Sequence, residues 1–387
     1  MQSVRLEYVL CINALLKMKV AYLLGALNHG GAESLILDIC RRKEHIPYDF
    51  VCIYRHDGNM SDAFKSTTVP LVQVPKKRGI LLYIWALRKA FMKEKVTIVH
   101  SQTPSNTLLL SIALLGTKIQ VITTFHGYNF GHAPWWQRKI VYAVSKKILC
   151  VSNHQKQYYE QKWHLPEENK LQLVYNGIDF AKIDSAKPSL DFSNLSPRIR
   201  LAMVGNFVSG RSQNIIVKSI HSLCQRGIFD FDFYFIGRRD EREAWRYDEC
   251  VNYCKKQKLD NVFFLGSRGD VPSLLKTMDG FVYSTEHDTF GIAVIEAIAS
   301  GLPIVVNDWT VMKEVCDLGL PDSNKAIRFF RTENVDDCAQ KIEELLKDIK
   351  TNQKVLREQC QQAADAAKKK YAIQNHINQL NTIYQSL

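Results

Sequence analysis

Short runs of β-branched and aromatic residues alternate with helical patterns along the first half of the chain, and this alternation limits the fold it can adopt. Strands are predicted over Val20–Leu24, Phe50–Tyr54, Leu71–Val74, Thr97–His100, Val121–Thr124, Ile148–Val151 and Leu171–Val174. Helix-like stretches lie between them, for example Gly31–Arg42, Leu81–Lys93 and Asn106–Leu115. This order of strands and helices predicts βαβ units, a parallel sheet and right-handed crossovers.

A second series of the same kind follows the polar stretch Asp184–Pro197. Its strands are predicted over Ile199–Val204, Phe231–Ile236, Asn261–Phe264, Gly280–Ser284 and Pro303–Val306. The 387 residues suffice for two domains. We predict two doubly wound α/β domains, residues 18–183 and 199–370, joined by a linker over 184–198 and facing each other across a ligand cleft. Residues 1–17 are interpreted as an N-terminal extension, because Met18 begins the first strand.

The composition is that of an ordinary globular protein. Hydrophobic residues make up 46% of the chain and charged residues 23%, which excludes a disordered chain, collagen and a coiled-coil rod. No apolar run reaches the ~18 residues that cross a bilayer. The ten cysteines are dispersed, as expected for buried thiols in a reducing cytosol rather than for a disulfide framework.

Positive charge is concentrated in the first half of the chain. Residues 1–200 contain 27 Lys and Arg against 14 Asp and Glu, whereas residues 201–387 contain 24 against 25. This excess indicates an anionic partner for the first half, such as membrane lipid, a polyphosphate or nucleic acid. Because the sequence has no zinc finger, RNA-binding motif or basic zipper, we expect no nucleic acid.

Two glycine motifs follow predicted strands and mark candidate ligand sites. The first, residues 25–33, matches neither the dinucleotide fingerprint nor the P-loop. Its adjacent Gly30 and Gly31 either offer backbone N–H groups to an anion at a helix start or form only a turn. In the second motif Asp288 precedes a helix that carries Glu296 two turns along. These carboxylates either meet the two ends of one ligand or are an N-cap and a solvated Glu.

The second motif carries a resemblance to a known family. The run from Asp288 to Pro303 fits the pattern of an acidic residue, seven residues and Glu within x-x-F-G-x-x-x-x-E-A-x-A-x-G-x-P, with Asp for the usual first Glu. Further pieces in family order are Gly30–Glu33, Thr124–Gly127, Val151–Ser152, Val174–Asp179, Val204–Gly205, Asn261–Gly266 and Asp279. From Met18 to Leu387 the chain resembles the retaining glycosyltransferases of family four.

The resemblance implies a GT-B architecture, in which two Rossmann-like domains with doubly wound parallel sheets face each other. The first domain would bind the acceptor and the second the nucleotide sugar, and a C-terminal helix over 371–387 would pack back on the first. Catalytic roles would fall to Arg211, Asp288 and His126. Donor-binding residues would be Gly30, Gly31, Asn206, Arg211, Gly266, Arg268, Asp288, Phe290, Gly291, Ile292 and Glu296. No metal and no cofactor are implied, because the nucleotide sugar is a co-substrate.

The implied roles agree with the chemistry of the side chains. Glu296 would accept hydrogen bonds from ribose hydroxyls, which suits an ionised carboxylate. Asp288 would hold hydroxyls of the transferred sugar, beside backbone N–H groups at the helix start. His126 would approach the reacting sugar from the acceptor side; otherwise it is a buried histidine at a strand end.

Two positions depart from the family pattern. The family usually has Arg directly after the glycine of Val-Gly and Lys about five residues later, where this chain has Asn206 and Arg211. Because the leaving β-phosphate gains negative charge, a cation beside it stabilises the transition state. We expect Arg211 to supply that charge, with Arg238 or Arg239 as candidates for a second one. The other departure is Asp288, which reaches one methylene less far than Glu.

These features predict a metal-independent, retaining hexosyl- or N-acetylhexosaminyl-transferase that uses a UDP-sugar rather than a GDP- or ADP-sugar. The expected acceptor is a lipid-linked saccharide in the synthesis of cell-surface polysaccharide or lipopolysaccharide. Two alternatives remain open. One is a catalytically silent GT-B scaffold, which Asn206 and Asp288 favour, and the other is a GT-B sugar-nucleotide epimerase.

Residues 133–147 combine two tryptophans with basic residues and contain no acidic residue. This composition is typical of an anchor at the interface of anionic lipid. The alternative is an ordinary helix with a core-facing stripe over Ile140, Val141 and Val144, whose tryptophans line an acceptor cleft instead. We expect a cytoplasmic protein in peripheral contact with the inner membrane through Trp135, Trp136, Arg138 and Lys139.

Overall fold

The computed structural model of the chain describes residues 18–76, 79–189 and 198–387. These residues form two compact units. The first unit contains the described residues up to Ile178 together with Ile373–Leu387, and the second contains the described residues of Asp179–Ala372. The predicted extension over residues 1–17 and residues 190–197 of the predicted linker lie outside the described residues.

The first unit is a seven-stranded parallel sheet with helices on both faces. In chain order its strands are β1 (Lys19–Ala26), β2 (Asp49–His56), β3 (Leu71–Gln73), β4 (Ile98–Ser101), β5 (Gln120–Phe125), β6 (Ser145–Cys150) and β7 (Leu171–Leu173). Their order in the sheet is β3-β2-β1-β4-β5-β6-β7. The helices are α1 (Gly31–Cys40), α2 (Ser61–Lys65), α3 (Ile80–Lys93), α4 (Pro104–Ala113), α5 (Trp135–Val144) and α6 (Asn153–Trp163), with 3₁₀ turns at Lys43–His45 and Asn129–His132.

The central strand β1 shows why the sheet is covered on both faces. Its side chains alternate between two cores, because successive residues of a strand point to opposite faces. Tyr22 packs in the core that contains α1, whereas Leu23 packs in the core formed with Leu87 of α3 and Leu110 of α4. A strand buried on both sides reads as a continuous apolar run, as Val20–Leu24 does.

The second unit is a six-stranded parallel sheet in the order β10-β9-β8-β11-β12-β13. Its strands are β8 (Ile199–Val204), β9 (Phe231–Ile236), β10 (Val262–Gly266), β11 (Gly280–Tyr283), β12 (Ile304–Asn307) and β13 (Ile327–Phe330). Its helices are α7 (Ala181–Asp184), α8 (Gln213–Gln225), α9 (Ala244–Gln257), α10 (Val271–Leu275), α11 (Ile292–Ala299), α12 (Thr310–Cys316), α13 (Val335–Thr351) and α14 (Gln353–Tyr371).

Both units are Rossmann-like, which confirms the predicted α/β fold class, and a strand occupies each of the twelve predicted positions. Two details differ. Strand β6 begins at Ser145, three residues before the predicted start, and β13 was not predicted. Strand β13 is a four-residue edge strand interrupted by Arg328, whose charge is buried against Asp348 at 2.6 Å. A charged residue in so short a run hides the strand from a hydrophobicity pattern.

The last helix, α15 (Ile373–Gln385), belongs to the first unit. Its apolar side chains, including Ile377 and Leu380, join the same core as α1. At its end the Tyr384 hydroxyl lies 2.6 Å from Nδ1 of buried His100, whose Nε2 lies 2.7 Å from the Thr124 hydroxyl. A neutral imidazole has one donor and one acceptor, so two hydroxyls satisfy both of its nitrogens.

His100 makes the stability of the first unit sensitive to acid. Burial, together with the nearby His376 and His126, lowers the pKa of His100 to about 3. Unfolded histidine titrates near 6.5. The stability from neutral His100 is therefore fully present above pH 6.5 and is lost as the pH falls toward 3, at about 1.4 kcal/mol per pH unit.

We expect the thermal unfolding midpoint to fall less steeply between pH 6.5 and 4 in a His100→Gln variant, which has no proton to gain there. The matched control is His45→Gln at an exposed position, which should follow the wild type. Equal slopes for His100→Gln and the wild type would contradict this assignment.

Candidate active site

The candidate site in the second unit lies where strands β8, β10 and β11 end. Because neighbouring strands are parallel, their carboxyl ends share one edge of the sheet, and ligands bind at that edge in such folds. The loop after β8 carries Asn206 and Arg211, β10 ends at Gly266, and the loop after β11 carries Asp288. The fold thus places these predicted donor residues at one edge.

Arg211 lies against the loop after β11. Its Nη1 is 3.3 Å from Oδ2 of Asp288 and donates to the Thr285 hydroxyl at 3.4 Å. Its guanidinium carbon stands 5.5 Å from the centroid of the Tyr283 ring. Among the described residues both side-chain contacts use Nη1, so Nε and Nη2 of the planar fork remain for phosphate oxygens.

Tyr283 is a site residue that the sequence analysis missed. It is the last residue of β11 and is fully buried, and its hydroxyl donates to Oδ2 of Asp288 at 2.8 Å. Burial raises its pKa well above the usual value, so the hydroxyl keeps its proton. A tyrosine ending a strand five residues before the motif carboxylate is a weak signal, since an aromatic residue there is usually core.

The Asp288 carboxylate is largely occupied by protein donors. Oδ2 accepts a hydrogen bond from the Tyr283 hydroxyl and forms the ion pair with Arg211. Oδ1 accepts the backbone N–H of Thr289 at 3.0 Å. A carboxylate offers about four acceptor positions, so about one remains for a ligand hydroxyl. Asp288 and Arg211 were expected to contact different parts of the donor, and the structure brings them into contact with each other.

Gly210 allows the two loops to approach. It has φ of +85°, and its carbonyl accepts the Thr285 hydroxyl at 2.5 Å. A Cβ at Gly210 would lie 2.7 Å from Cβ of His287. Both the backbone conformation and the space therefore require glycine at this position.

Asn206 holds the loop after β8 in place. Its Oδ1 accepts the backbone N–H of Arg238 at 3.1 Å, and its carbonyl accepts the side-chain amide of Gln213 at 3.1 Å. These contacts link the ends of β8 and β9. Asn206, which stands where the family usually has arginine, is thus a neutral residue that holds the loop in place through hydrogen bonds. It adds no positive charge to the site.

Helix α11 begins at the predicted Phe290–Gly291 step. Gly291 has φ of +78° at the N-cap, and the first N–H groups of the helix have no acceptor within it. The Phe290 side chain is buried edge-to-face on Tyr371, so only its backbone can reach a ligand. Ile292 and Glu296 are half-buried one turn apart, on the face opposite the buried Val294 and Ala297.

The loop after β10 carries the other predicted donor residues. Gly266 has φ of +68°, and its carbonyl accepts the N–H of Gly237 at 2.9 Å. Arg268 makes a bidentate contact to Asp270 at 2.8 and 2.7 Å, which lowers the pKa of that carboxyl. The candidates for a second cation are likewise paired, Arg238 with Asp240 and Arg239 with Asp248.

In the first unit, α1 begins at Gly30 and Gly31 as predicted. The carboxylate of Glu33 lies beside them in the first turn of the helix. Gly30 is extended, and a Cβ there would lie 2.5 Å from Oε2 of Glu33. Burial raises the pKa of Glu33. The glycine therefore makes room for an acidic side chain at the helix N-terminus, where the resemblance implies a diphosphate.

His126 directly follows β5 and is half-buried. Its Nε2 lies 3.0 Å from Oε1 of Gln102. Burial lowers its pKa to about 4, and His376 contributes. His126 is thus a neutral imidazole at pH 7.

The predicted lipid-facing residues lie on α5. Trp135 and Trp136 are exposed, and the Lys139 ammonium stands 5.0 Å from the Trp135 ring centroid. Arg138 donates to the carbonyl of Lys162 at 3.1 Å. Val141 is buried on the opposite side, whereas Ile140 and Val144 of the predicted stripe are only half-buried.

Two features are absent from the described ranges, 18–76, 79–189 and 198–387. Those residues include no group of three His, Cys, Asp or Glu side chains that could hold a metal ion. No helix within the same ranges has both the length and the apolar character needed to cross a bilayer.

Comparison with known proteins gives consistent matches for both units. The sequence model described as Glycosyltransferase Family 4 matches residues 29–182, and Glycosyl transferases group 1 matches residues 198–348. "Putative glycosyltransferase EpsF" of Bacillus subtilis is 23% identical over 322 residues, which cover 78% of this chain and 82% of EpsF.

A second relative and a solved structure extend the comparison. The "UDP-Gal:alpha-D-GlcNAc-diphosphoundecaprenol alpha-1,3-galactosyltransferase" of Escherichia coli is 24% identical over 242 residues, 58% of this chain and 60% of that enzyme. The crystal structure of Anabaena HepE in complex with UDP superposes with a TM-score of 0.80 at 16% identity, covering 96% of this chain and 100% of HepE.

The family matches span both Rossmann-like units, and the superposition shows the GT-B fold. The motif around Asp288 and Glu296 lies within the matched second unit. The chain therefore belongs to glycosyltransferase family four.

Proposed function

We propose that this protein transfers a hexose or an N-acetylhexosamine from a UDP-sugar to a saccharide acceptor, with retention of the α configuration. The observation that carries the proposal is the contact between Arg211 and Asp288 at the carboxyl edge of the second sheet. It puts a half-buried cation and a carboxylate just before α11. The UDP complex of HepE and the UDP-Gal donor in the name of the E. coli relative support the choice of nucleotide.

Donor binding is assigned to the loop after β11 and to α11. Glu296 accepts the ribose hydroxyls, because an ionised carboxylate forms strong hydrogen bonds with them. The backbone N–H groups of Phe290, Gly291 and Ile292 face sugar and phosphate oxygens at the helix N-terminus. Asp288 takes one sugar hydroxyl with its remaining acceptor position.

Arg211 is assigned the role of neutralising the negative charge on the leaving diphosphate. Its Nε and Nη2 donate to the phosphate oxygens while Nη1 stays on Asp288 and Thr285. The Glu33 carboxylate beside Gly30 makes the N-terminus of α1 a poorer source of positive potential for the diphosphate. Asn206 holds the loop that carries Arg211 in place. Gly266 and Arg268 belong to the segment that lies beside the uracil base of the donor.

The reaction proposed is front-face substitution. The leaving phosphate oxygen helps to take the proton from the acceptor hydroxyl, which attacks from the same face. Asp288 is a poor nucleophile because three protein donors already hold its oxygens. Arg211 and helix N–H groups supply the positive charge, so the proposal includes no metal and no cofactor. Neutral His126 orients the acceptor hydroxyl in the first unit.

The acceptor proposed is a lipid-linked saccharide, and the pathway class is the synthesis of surface polysaccharide or lipopolysaccharide. The E. coli relative has a diphosphoundecaprenol acceptor in its name. The net positive first half of this chain suits an anionic, diphosphate-bearing acceptor and an anionic membrane. The predicted peripheral contact runs through Trp135, Trp136, Arg138 and Lys139.

Titration with UDP alone tests the division of labour between the two carboxylates. Glu296→Gln should weaken UDP binding by about 1.5–3 kcal/mol, the worth of a hydrogen bond to a charged group. Asp288→Asn should change UDP affinity less and reduce turnover of the donor more. Isothermal titration and a UDP-release assay give the two readings, and equal losses of UDP affinity would refute the assignment.

Arg211→Ala tests the transition-state role. Loss of a donor that acts mainly on developing charge should reduce turnover 10²–10³-fold, about 3–4 kcal/mol. Arg211→Lys keeps a point charge and should recover part of that loss. The matched control is Arg226→Ala, an arginine of the same unit that pairs with Asp336 and Glu343. Near-native turnover of Arg211→Ala would mean that another group offsets the charge.

A further inference from the structure

Exposed apolar side chains are concentrated in one part of the first unit. Among the described residues, nine of fourteen exposed large hydrophobic side chains lie between Ile80 and Trp136. The nine are Ile80, Leu81, Leu82, Trp85, Met92, Ile112, Leu115, Trp135 and Trp136. The other five are scattered over the second unit. Such a concentration marks an interaction surface rather than the normal scatter of single apolar residues.

These residues belong to neighbouring helices on one face of the sheet. Helix α4 packs against α3 on one side and against α5 on the other. The opposite face of the sheet is covered by α1 and α15. The three helices α3, α4 and α5 therefore form one layer, here called the α3–α5 layer, whose outer side carries the apolar residues.

Helix α3 contributes most of this outer side. It buries Tyr83, Leu87 and Phe91 in the core. Its other side exposes Leu81 by 73% and Trp85 by 61%, where a helix of a globular protein normally carries polar residues. The outer side of α3 thus combines exposed apolar residues with the exposed Lys89 and Lys93, a composition suited to a surface that is apolar inside and anionic outside.

The charge of the layer points to an anionic environment. None of the three helices contains Asp or Glu. The same arrangement of tryptophan and lysine occurs twice: Lys89 Nζ is 5.4 Å from the Trp85 ring centroid on α3, and Lys139 Nζ is 5.0 Å from that of Trp135 on α5. Each pair places an indole ring beside an ammonium group, a combination that suits the headgroup region of an anionic bilayer.

We propose that the α3–α5 layer is the surface by which this protein binds an anionic lipid bilayer, with α3 as the main inserted element. The contact predicted from the sequence at α5 is then the edge of a larger surface. A hydrophobic face that carries Lys89 and Lys139, on helices that contain no Asp or Glu, complements negatively charged lipid headgroups over acyl chains. The proposal depends on the proposed function in one respect: the lipid-linked acceptor explains why the enzyme would bind a membrane.

Vesicle sedimentation with the full chain tests this surface. Wild-type protein should bind vesicles of equal phosphatidylglycerol and phosphatidylcholine, bind pure phosphatidylcholine much less, and lose binding in 0.5 M salt. The double variant Leu81→Gln, Trp85→Gln should reduce the partition coefficient at least tenfold. Lys89→Gln should reduce it about fivefold, the equivalent of ~1 kcal/mol per basic residue near an anionic surface. Trp135→Ala with Trp136→Ala should have a smaller effect than the α3 variant.

The matched control is Trp245→Gln in the second unit. Trp245 is 57% exposed and also carries a stacked cation, with the Arg246 guanidinium 4.5 Å from its ring centroid. It lies on α9, which contains acidic residues, and its replacement should leave vesicle binding unchanged. UDP titration of every variant should match the wild type, which separates loss of the surface from failure of the donor site.

Three results would overturn the proposal. One is wild-type protein whose vesicle binding does not depend on the charge of the lipid. Another is an α3 variant that binds vesicles as strongly as the wild type does. The third is a wild type that self-associates in solution and becomes monomeric in the α3 variant, because the surface would then bind a second copy of the chain.

Discussion

The ion pair between Arg211 and Asp288 is the interaction on which the candidate site depends. The two side chains are 24% and 11% exposed, so each would leave an uncompensated charge in a poorly solvated position without the other. Together they fix the loop after β8 to the loop after β11. The Thr285–Gly210 hydrogen bond and the Tyr283 hydroxyl reinforce the same contact.

This contact also explains how Asp replaces the longer Glu of the family pattern. A shorter side chain leaves a gap, and the Tyr283 hydroxyl reaches Oδ2 of Asp288 from the strand below. Asp288 thereby holds Arg211 in place with one oxygen and keeps little capacity for a ligand. In the proposed mechanism the positive charge of Arg211 is therefore oriented before a donor arrives, which is the form of electrostatic catalysis that costs no reorganisation during reaction.

The sequence predicted most of the fold because the parallel sheets are buried on both faces and read as unmistakable apolar runs. It located the Asp288–Glu296 motif because that run of residues matches the family pattern position by position. It could not pair Arg211 with Asp288, because that contact joins distant parts of the chain. It missed Tyr283 because an aromatic residue at the end of a strand is usually part of the core. Nor could it show that Glu33 occupies the space beside Gly30, because that depends on how one side chain packs. It could not show that Leu81 and Trp85 point outward, because apolar residues occur on more than one side of α3 and periodicity does not tell which of them are covered.

The central claim is that a UDP-sugar is the donor and that its sugar is transferred with retention. The most direct measurement is incubation of the purified protein with a panel of UDP-, GDP- and ADP-sugars, with and without a lipid-linked saccharide extract, followed by separation of the nucleotides and NMR of any glycoside. We predict slow release of UDP from one UDP-sugar alone, faster release with acceptor, and an α-linked product. A new sugar nucleotide would indicate an epimerase, and binding of none of the panel would indicate a catalytically silent scaffold; either result would contradict the claim.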